Sequence, residues 1–177
     1  MTNDPLSAAP IAGRSSHSTS GFAAFDTAMG RCAVEWSARG LTKVWLPEAP
    51  NGRHIDDPPV AVADAIDRLR RLLAGDDVEL TDVELDLDGI PEFDQRVYAA
   101  ARAVPRGVTA TYGELARRVG APGAAQAVGQ AMGNNRFPLV VPCHRVVAAG
   151  GGNGGFSAPG GVDTKLRLLA LESVTLF

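Results

Sequence analysis

The sequence PCHRVV, at residues 142–147, sets a thiol directly beside an imidazole, with Cys143 next to His144. A cysteine attacks as its thiolate, and a free thiol with a pKa of about 8.5 is mostly protonated at neutral pH unless a base, a cation or a helix N-terminus lowers that pKa. Pro142 favours the first position of a helical turn, which would leave Cys143 near the positive end of that turn. These residues indicate either a cysteine nucleophile with its base or a small buried cysteine beside a hydrogen-bonded core histidine.

Length and composition narrow the class of protein. The chain has 177 residues, of which 45% are hydrophobic, and this fits one large globular domain or two small ones. No apolar run approaches the roughly 20 residues that cross a bilayer, and the N-terminus lacks the pattern of a secretory signal, so we expect a cytoplasmic protein without membrane association. The two cysteines, Cys32 and Cys143, match no zinc-binding or disulfide spacing. We therefore expect no metal, and a thiol kept free in a reducing compartment.

Charge is divided unevenly along the chain. The formal net charge is -3, but residues 1–90 contain 8 Lys+Arg and 15 Asp+Glu, whereas residues 91–177 contain 9 Lys+Arg and 5 Asp+Glu. An acidic half joined to a basic half is typical of a chain whose C-terminal part alone faces a polyanion. Chance clustering of solvated surface charge would give the same split.

Apolar periodicity predicts a leader and two domains. Residues 1–20 have no periodicity and contain several Ser and Pro, which predicts a disordered leader. Residues 21–90 contain three strand-like runs, a helical pattern over Val60–Leu73 and an alternating run over 78–87, and they predict a small α/β domain with an antiparallel-rich sheet. The three runs are Phe22–Asp26, Cys32–Trp36 and Leu41–Leu46. Pro91 marks the boundary with residues 91–177, where helical periodicity replaces alternation.

The C-terminal part is predicted to be mainly helical. Thr111 and Glu114 match a capping box at the start of a short helix that Gly120 stops. Together with the next helix it forms a helix-turn-helix pattern, which also occurs without any binding role. The other predicted elements are helices over Phe93–Val104, Ala124–Met132 and Gly161–Glu172 and strand-like runs over 139–141 and 145–149.

The helix predicted over Ala124–Met132 carries almost only small side chains. Such a helix could press its backbone into the narrow minor groove of DNA without reading much sequence, or it could pack closely against another helix through its alanines.

Glu172 is the last residue of the final predicted helix. An acid there opposes the helix dipole, so it is either an unpaired surface charge or is kept for a partner.

The order of these motifs resembles the O6-alkylguanine-DNA alkyltransferase family. The matching sequences are FDQRVYAAARAVPRG, TYGELA, AAQAVGQAM, NN, PCHRVV, a glycine-rich turn, FS and LLALE, all within about residues 91–177, while residues 21–90 resemble the family in element order only. The resemblance implies an α+β fold with a ribonuclease H-like N-terminal domain and a C-terminal winged helix-turn-helix domain. It also implies a monomer that binds the minor groove of double-stranded DNA, flips out O6-alkylguanine and moves the alkyl group to its cysteine once, without a cofactor.

The resemblance assigns roles in the reaction to individual residues. Cys143 would be the nucleophile, His144 its base through a water molecule, Glu172 the group that orients His144, and Tyr112 a proton donor toward guanine N3. Ser157 would bond O6, and the Cys143 and Val146 carbonyls would accept from the guanine amino group. The substrate-binding residues implied by the resemblance are Ser157, Asn135, Val146, Phe156 and Lys165, with Asn135 tying the helix pair to the active-site turn.

The resemblance also assigns a DNA-binding set and shows two departures. The set is Ala124, Ala125, Gln126, Ala127, Gly129, Arg136 and Arg145. Gln126 stands where the family has the arginine that fills the gap left by the flipped base, and Phe156 stands where an aromatic hydroxyl is usual. The loop around Ala158 and Pro159 is also slightly longer than usual. These changes bear on efficiency and on the range of alkyl groups more than on the reaction.

Two other classes of function fit parts of this pattern. A non-catalytic sensor of alkylated DNA, which recruits other repair proteins, would have the same helices but would not need Cys143. A redox sensor would use Cys143 with Cys32 as its resolving thiol.

Overall fold

The computed structural model describes residues 19–47, 49–51, 53, 56–152 and 154–174. Over these residues the chain forms an α+β fold with a three-stranded antiparallel sheet, a short parallel pair of strands and five α-helices. Residues 1–18, which make up most of the predicted leader, lie outside the described part. No helix among the described residues is both long enough and apolar enough to cross a membrane.

The N-terminal sheet confirms the predicted meander. Its strands are β1 (Gly21–Thr27), β2 (Gly30–Ser37) and β3 (Gly40–Trp45), paired in that order. Helix α1 (Val60–Leu73) packs against β1 and buries Val62, Ile66, Leu69 and Leu73 of its predicted apolar positions, whereas Val60 at its start is exposed. It ends at Gly75, whose φ of 98° lets the Gly75 amide donate to the Leu72 carbonyl at 3.0 Å in a left-handed helix cap.

The strand predicted over residues 78–87 is wrong. This segment pairs with β3 only around Leu41, whose amide donates to the Glu84 carbonyl at 2.9 Å and whose carbonyl accepts from the Asp86 amide at 2.7 Å. Elsewhere its carbonyls accept from a side chain, because Arg102 Nη2 lies 2.7–3.0 Å from the carbonyl oxygens of Leu80, Thr81 and Val83. The alternating burial that the sequence predicts is therefore present without a strand ladder.

The C-terminal part consists of short helices around one parallel strand pair. Helix α2 (Glu92–Arg102) leads to β4 (Ala110–Thr111), which pairs with β5 (Val146–Val147). The remaining helices are α3 (Tyr112–Arg118), α4 (Ala125–Gly133) and α5 (Gly161–Leu171). The capping box at the start of α3 is confirmed, since Thr111 Oγ1 accepts from the Glu114 amide at 3.1 Å and the Thr111 amide donates to the Glu114 carboxylate at 2.6 Å.

Two strand-like runs of the C-terminal part differ from their prediction. Residues 139–141 form a tight turn in which Leu139 has a φ of 75°, and only Val146 and Val147 of the run 145–149 belong to a strand. Periodicity alone does not separate a short apolar turn from a buried strand, because residues 139–141 are all buried, as the residues of a core strand would be.

One core joins the two parts of the chain. Buried residues from the sheet, from α1 and from α2 to α5 form a continuous apolar cluster. The backbone also connects them, because the Val44 amide of β3 donates to the Arg136 carbonyl at 2.8 Å. The turn that precedes Cys143 is thus supported from both sides.

Candidate active site

Cys143 lies at the start of a single 3-10 turn, Cys143–Arg145, that follows the tight turn at Leu139. The Asn135 side chain joins these turns: its Oδ1 accepts from the Phe137 amide at 2.9 Å and its Nδ2 donates to the Val141 carbonyl at 2.9 Å. Asn135 follows α4 directly, so it connects the end of that helix to the turn that carries the thiol. This contact agrees with the tying role that the sequence assigns to Asn135.

The environment of Cys143 favours the neutral thiol. The residue is 6% exposed, and burial raises the pKa of the thiol above its ordinary value, although the Asn135 hydrogen bond and the positive charge of Lys165 oppose this effect. The N-terminal end of the turn that begins at Pro142 would favour the thiolate, but the loss of water around the buried sulfur outweighs the effects that lower the pKa.

His144, the residue after Cys143, forms a buried pair with Glu172. His144 Nε2 and Glu172 Oε1 are 2.9 Å apart, and the two residues are 1% and 4% exposed. Burial lowers the pKa of His144, so the imidazole is neutral at pH 7. Burial alone would raise the pKa of Glu172, but hydrogen bonds from His144 and Arg145 outweigh it and lower the pKa to about 2. Glu172 is therefore ionised, and its partners are His144 and Arg145 inside the protein. It is not the unpaired surface charge that its position at the end of α5 would allow.

An open pocket of about 590 Å³ adjoins the thiol. Its walls come from α3, α4, the Cys143 turn and the loop before α5, and they contain no charged side chain among the described residues. The lining residues are Tyr112, Ala125, Gln126, Gly129, Gln130, Met132, Gly133, Cys143, Gly155, Phe156 and Ser157. A mostly apolar concave wall with a few polar groups is typical of a small-molecule or base-binding site.

Tyr112 is held against this pocket by two glycines. A Cβ atom on Gly129 would lie 4.0 Å from the Tyr112 ring, and one on Gly154 would lie 2.6 Å from its hydroxyl oxygen. Burial raises the pKa of Tyr112, and the nearby Cys143 adds to this rise. The phenol is therefore protonated at neutral pH and can donate a hydrogen bond into the pocket.

Of the residues predicted to contact the substrate, Tyr112, Cys143, Phe156 and Ser157 line the pocket. Asn135, Val146 and Lys165 do not. Lys165 is fully buried and does not line the pocket; its Nζ donates to the Val146 carbonyl at 2.6 Å. Burial lowers the pKa of Lys165 to about 8, while Cys143 opposes this shift. Lys165 is thus a buried cation near the thiol rather than a group that faces a ligand.

The predicted DNA-binding residues separate into two groups. Gln126 and Arg136 are exposed, and the small residues Ala124, Ala125, Ala127 and Gly129 are partly exposed along α4. Arg145 is only 4% exposed, and it contacts Glu172 and the Val104 carbonyl. The assignment of Arg145 to a DNA-facing surface is therefore wrong, because its guanidinium is used inside the protein.

The predicted set of site residues leaves out one polar residue of the pocket wall, although the sequence marks Gln126 and Gln130 alike as the side chains of this helix that could reach base edges. Gln130 lies on α4 four residues after Gln126, and both line the pocket. Residues four apart lie on the same face of a helix, so the spacing from Gln126 was the signal that could have identified Gln130.

A free thiol at the wall of an open pocket, backed by an imidazole and a carboxylate, defines a protein that uses cysteine as a nucleophile on a bound ligand. Residues 92–174 match the family model described as 6-O-methylguanine DNA methyltransferase, DNA binding domain. The methylated-DNA--protein-cysteine methyltransferase of Mycolicibacterium paratuberculosis is 49% identical over 157 residues, which are 85% of this chain and 91% of that protein. The protein of the same name from Mycobacterium tuberculosis H37Rv is 41% identical over 150 residues, which are 83% of this chain and 88% of that protein.

A solved structure agrees with these relatives. The crystal structure of Mycobacterium tuberculosis OGT in complex with DNA matches with a TM-score of 0.73 and 39% sequence identity, over 86% of this chain and 92% of that chain. The chain belongs to the methylated-DNA--protein-cysteine methyltransferase family.

Proposed function

We propose that this protein repairs DNA by transferring an alkyl group from guanine O6 to Cys143 in a single turnover. The observation that carries this proposal is that Cys143, a free cysteine, lines a pocket with no charged side chain among the described residues, while the next residue, His144, is paired with Glu172. Family membership gives the same reaction, and all the reactive groups are supplied by the chain itself.

The transfer requires that the neutral thiol lose its proton as the substrate is bound. His144 is the base: its Nε2 is engaged by Glu172, and its Nδ1 is buried without a hydrogen-bond partner among the described residues. A water molecule between Nδ1 and the sulfur would carry the proton. Glu172 then stabilises the imidazolium that forms, as the third group of a nucleophile, base and orienter series.

Displacement at the alkyl carbon forms a carbon–sulfur bond and breaks the bond to O6. The electron pair of that bond stays on the guanine, which gains one proton for the one that the thiol loses. Tyr112 donates toward N3 and Ser157 toward O6, which offsets the charge that develops on the departing base. The Cys143 carbonyl accepts from the guanine amino group; Val146, the other predicted acceptor, is fully buried and does not line the pocket, and its carbonyl accepts from Lys165. The product is a thioether, so each chain acts once.

Helix α4 is the surface that approaches the DNA. Its small residues allow the backbone to enter a minor groove, and α3, α4 and the strand pair β4–β5 correspond to a winged helix-turn-helix. The lesion reaches Cys143 only if the base leaves the duplex, and this costs a few kcal/mol, less at a damaged pair. We further propose that residues 21–90 form a ribonuclease H-like domain, that the boundary with residues 91–177 lies at Pro91, and that the protein acts as a monomer.

The test is the mass of the protein after incubation with a duplex that contains one O6-methylguanine. We expect one methyl group on the peptide that contains Cys143, and none with an undamaged duplex. Cys143→Ala should bind the damaged duplex without gaining mass, whereas Cys32→Ala should react as the wild type does. Stable binding by the wild type without a methyl adduct would contradict the proposal and favour a lesion sensor.

A further inference from the structure

Arg145 is a buried cation that forms a bidentate hydrogen bond with the carboxylate of Glu172. Its Nε lies 2.9 Å from Glu172 Oε2 and 3.2 Å from Oε1, and its Nη2 lies 2.9 Å from Oε1. The remaining nitrogen, Nη1, donates to the Val104 carbonyl at 2.7 Å, at the end of α2. A guanidinium that contacts both oxygens of one carboxylate holds it in a fixed plane, which a lysine ammonium does not do.

This arrangement determines which nitrogen of His144 carries its proton. Glu172 Oε1 accepts from Arg145 and also lies 2.9 Å from His144 Nε2. An ionised carboxylate only accepts hydrogen bonds, so His144 Nε2 must be the protonated nitrogen. The lone pair of the neutral imidazole is then on Nδ1, the nitrogen that has no partner among the described residues.

We propose that Arg145 is a positioning residue for the transfer reaction: by holding Glu172 as a planar, ionised acceptor, it fixes His144 in the tautomer whose Nδ1 can take the proton of the Cys143 thiol. The inference rests on the proposed function, because it gives Nδ1 its task. It goes beyond that function by assigning a reaction role to a residue that touches neither the substrate nor the thiol.

If Arg145 had only a structural role, its replacement would lower stability without changing the tautomer of His144. Arg106 offers a matched comparison, because it is a largely buried arginine close to the same helix end. Its Nη2 donates to the Leu171 carbonyl at 2.6 Å and to the Gly75 carbonyl at 3.3 Å, and none of its hydrogen bonds goes to Glu172. Loss of either guanidinium removes hydrogen bonds, but only loss of Arg145 removes hydrogen bonds to the carboxylate, which then keeps only His144 at 2.9 Å and the Gly107 amide at 3.5 Å among its described partners.

The experiment measures the ring nitrogen shifts of His144 by NMR in the full-length protein, together with single-turnover methyl transfer. We expect the wild type and Arg106→Lys to hold the tautomer with the proton on Nε2. Arg145→Lys should show a mixture of tautomers and a transfer rate lower by at least about tenfold, since partners that orient a histidine typically contribute 10- to 100-fold. In Arg145→Ala, added guanidinium ion should restore part of the rate.

Two results would overturn the inference. One is an unchanged His144 tautomer in Arg145→Lys. The other is a transfer rate in Arg145→Lys that is no lower than in an equally destabilised Arg106→Lys, together with no recovery of rate when guanidinium ion is added to Arg145→Ala. The tautomer is read without DNA, so it stands apart from the proposed function. A wild type that shows the Nε2 proton but gains no methyl group would refute the transfer reaction alone.

Discussion

The Cys143 thiol is subject to two opposing influences. Burial of the sulfur raises its pKa, whereas the Asn135 hydrogen bond and the charge of Lys165 favour the thiolate. Lys165 is itself fully buried, so its charge acts on the thiol without much screening by solvent. Reactivity of the thiol therefore depends on groups that never touch the substrate.

Replacement of this cation tests the balance. Lys165→Met keeps the length and apolar character of the side chain but removes its charge, so the pKa of Cys143 should rise further and the thiol should react more slowly at pH 7 by several-fold. The measurement is the pH profile of iodoacetamide modification of the Cys143 peptide, followed by mass spectrometry.

Lys43→Met is the control for this prediction. Lys43 lies on β3, where its Nζ is 3.4 Å from the centre of the Trp45 ring, and the charge that lowers the pKa of Cys143 comes from Lys165 and not from Lys43. Its loss should leave the profile unchanged. An unchanged profile in Lys165→Met would show that the buried charge does not act on Cys143.

The face of helix α4 that lines the pocket has two glutamines and no charged side chain. Gln126 and Gln130 are exposed and lie one turn apart, and apart from Met132 the other residues of α4 in the pocket wall are Ala and Gly. A glutamine is shorter than an arginine and does not attract phosphate, so it fills less of the gap that a flipped base leaves. We expect base flipping, rather than alkyl transfer, to limit this protein on duplex DNA.

An arginine at this position should relieve that limit. Gln126→Arg is expected to increase the single-turnover rate several-fold on a duplex that contains O6-methylguanine, with the protein in saturating excess. On free O6-methylguanine the two proteins should react equally, because no duplex has to be opened.

Gln130→Arg separates position from charge in this comparison. It adds the same charge one turn later on the same helix, and it should strengthen DNA binding at low salt without increasing the saturated rate. If Gln126→Arg is slower on the duplex but unchanged on the free base, the account of Gln126 is wrong.

At the scale of the whole molecule, the groups that we propose for proton transfer lie in the core. His144 and Glu172 are buried between the end of α5 and the turn that follows α2, and Arg145 joins them to the Val104 carbonyl. Groups that are buried in one protonation state link folding to pH. Neutral His144 and ionised Glu172 both bind fewer protons in the folded chain than in the unfolded chain as the pH falls.

The protein should therefore lose stability on acidification in two stages. The folded-state pKa of each group lies below its unfolded value. Each group therefore makes its full contribution to the free energy of unfolding above its unfolded pKa, which is about 6.5 for His and about 4.3 for Glu. The His144 contribution falls first, and Glu172 then accounts for about 3 kcal/mol between roughly pH 5 and pH 2. Urea unfolding at a series of pH values measures both stages.

Glu172→Gln provides the control for the acid stage. The variant should be less stable at pH 7, because Arg145 loses its counter-charge, but its stability should depend less on pH below about 4.5. A wild type whose free energy of unfolding stays constant from pH 7 to pH 3 would contradict the assigned charge states.

Much of the local structure follows from the sequence. The three strands of the meander, the 14 residues of α1 and the capping box of α3 are predicted because each depends on neighbours in the chain. The predicted strand over residues 78–87 is wrong for the opposite reason. Its carbonyls are bound by Arg102, which lies at least 19 residues away along the chain, and no local pattern indicates such a partner.

The residues that we propose for the reaction, Cys143, His144, Tyr112 and Glu172, could all be named from the order of the motifs in the sequence. Their charge states were decided only by the tertiary structure, because burial and the approach of distant groups set them. The fold keeps Cys143 a neutral thiol, turns Arg145 inward from the expected DNA surface and makes Lys165 a buried cation. Residue identity fixes which chemical groups are available, whereas the distances and the exclusion of water that control a proton exist only once the chain has folded.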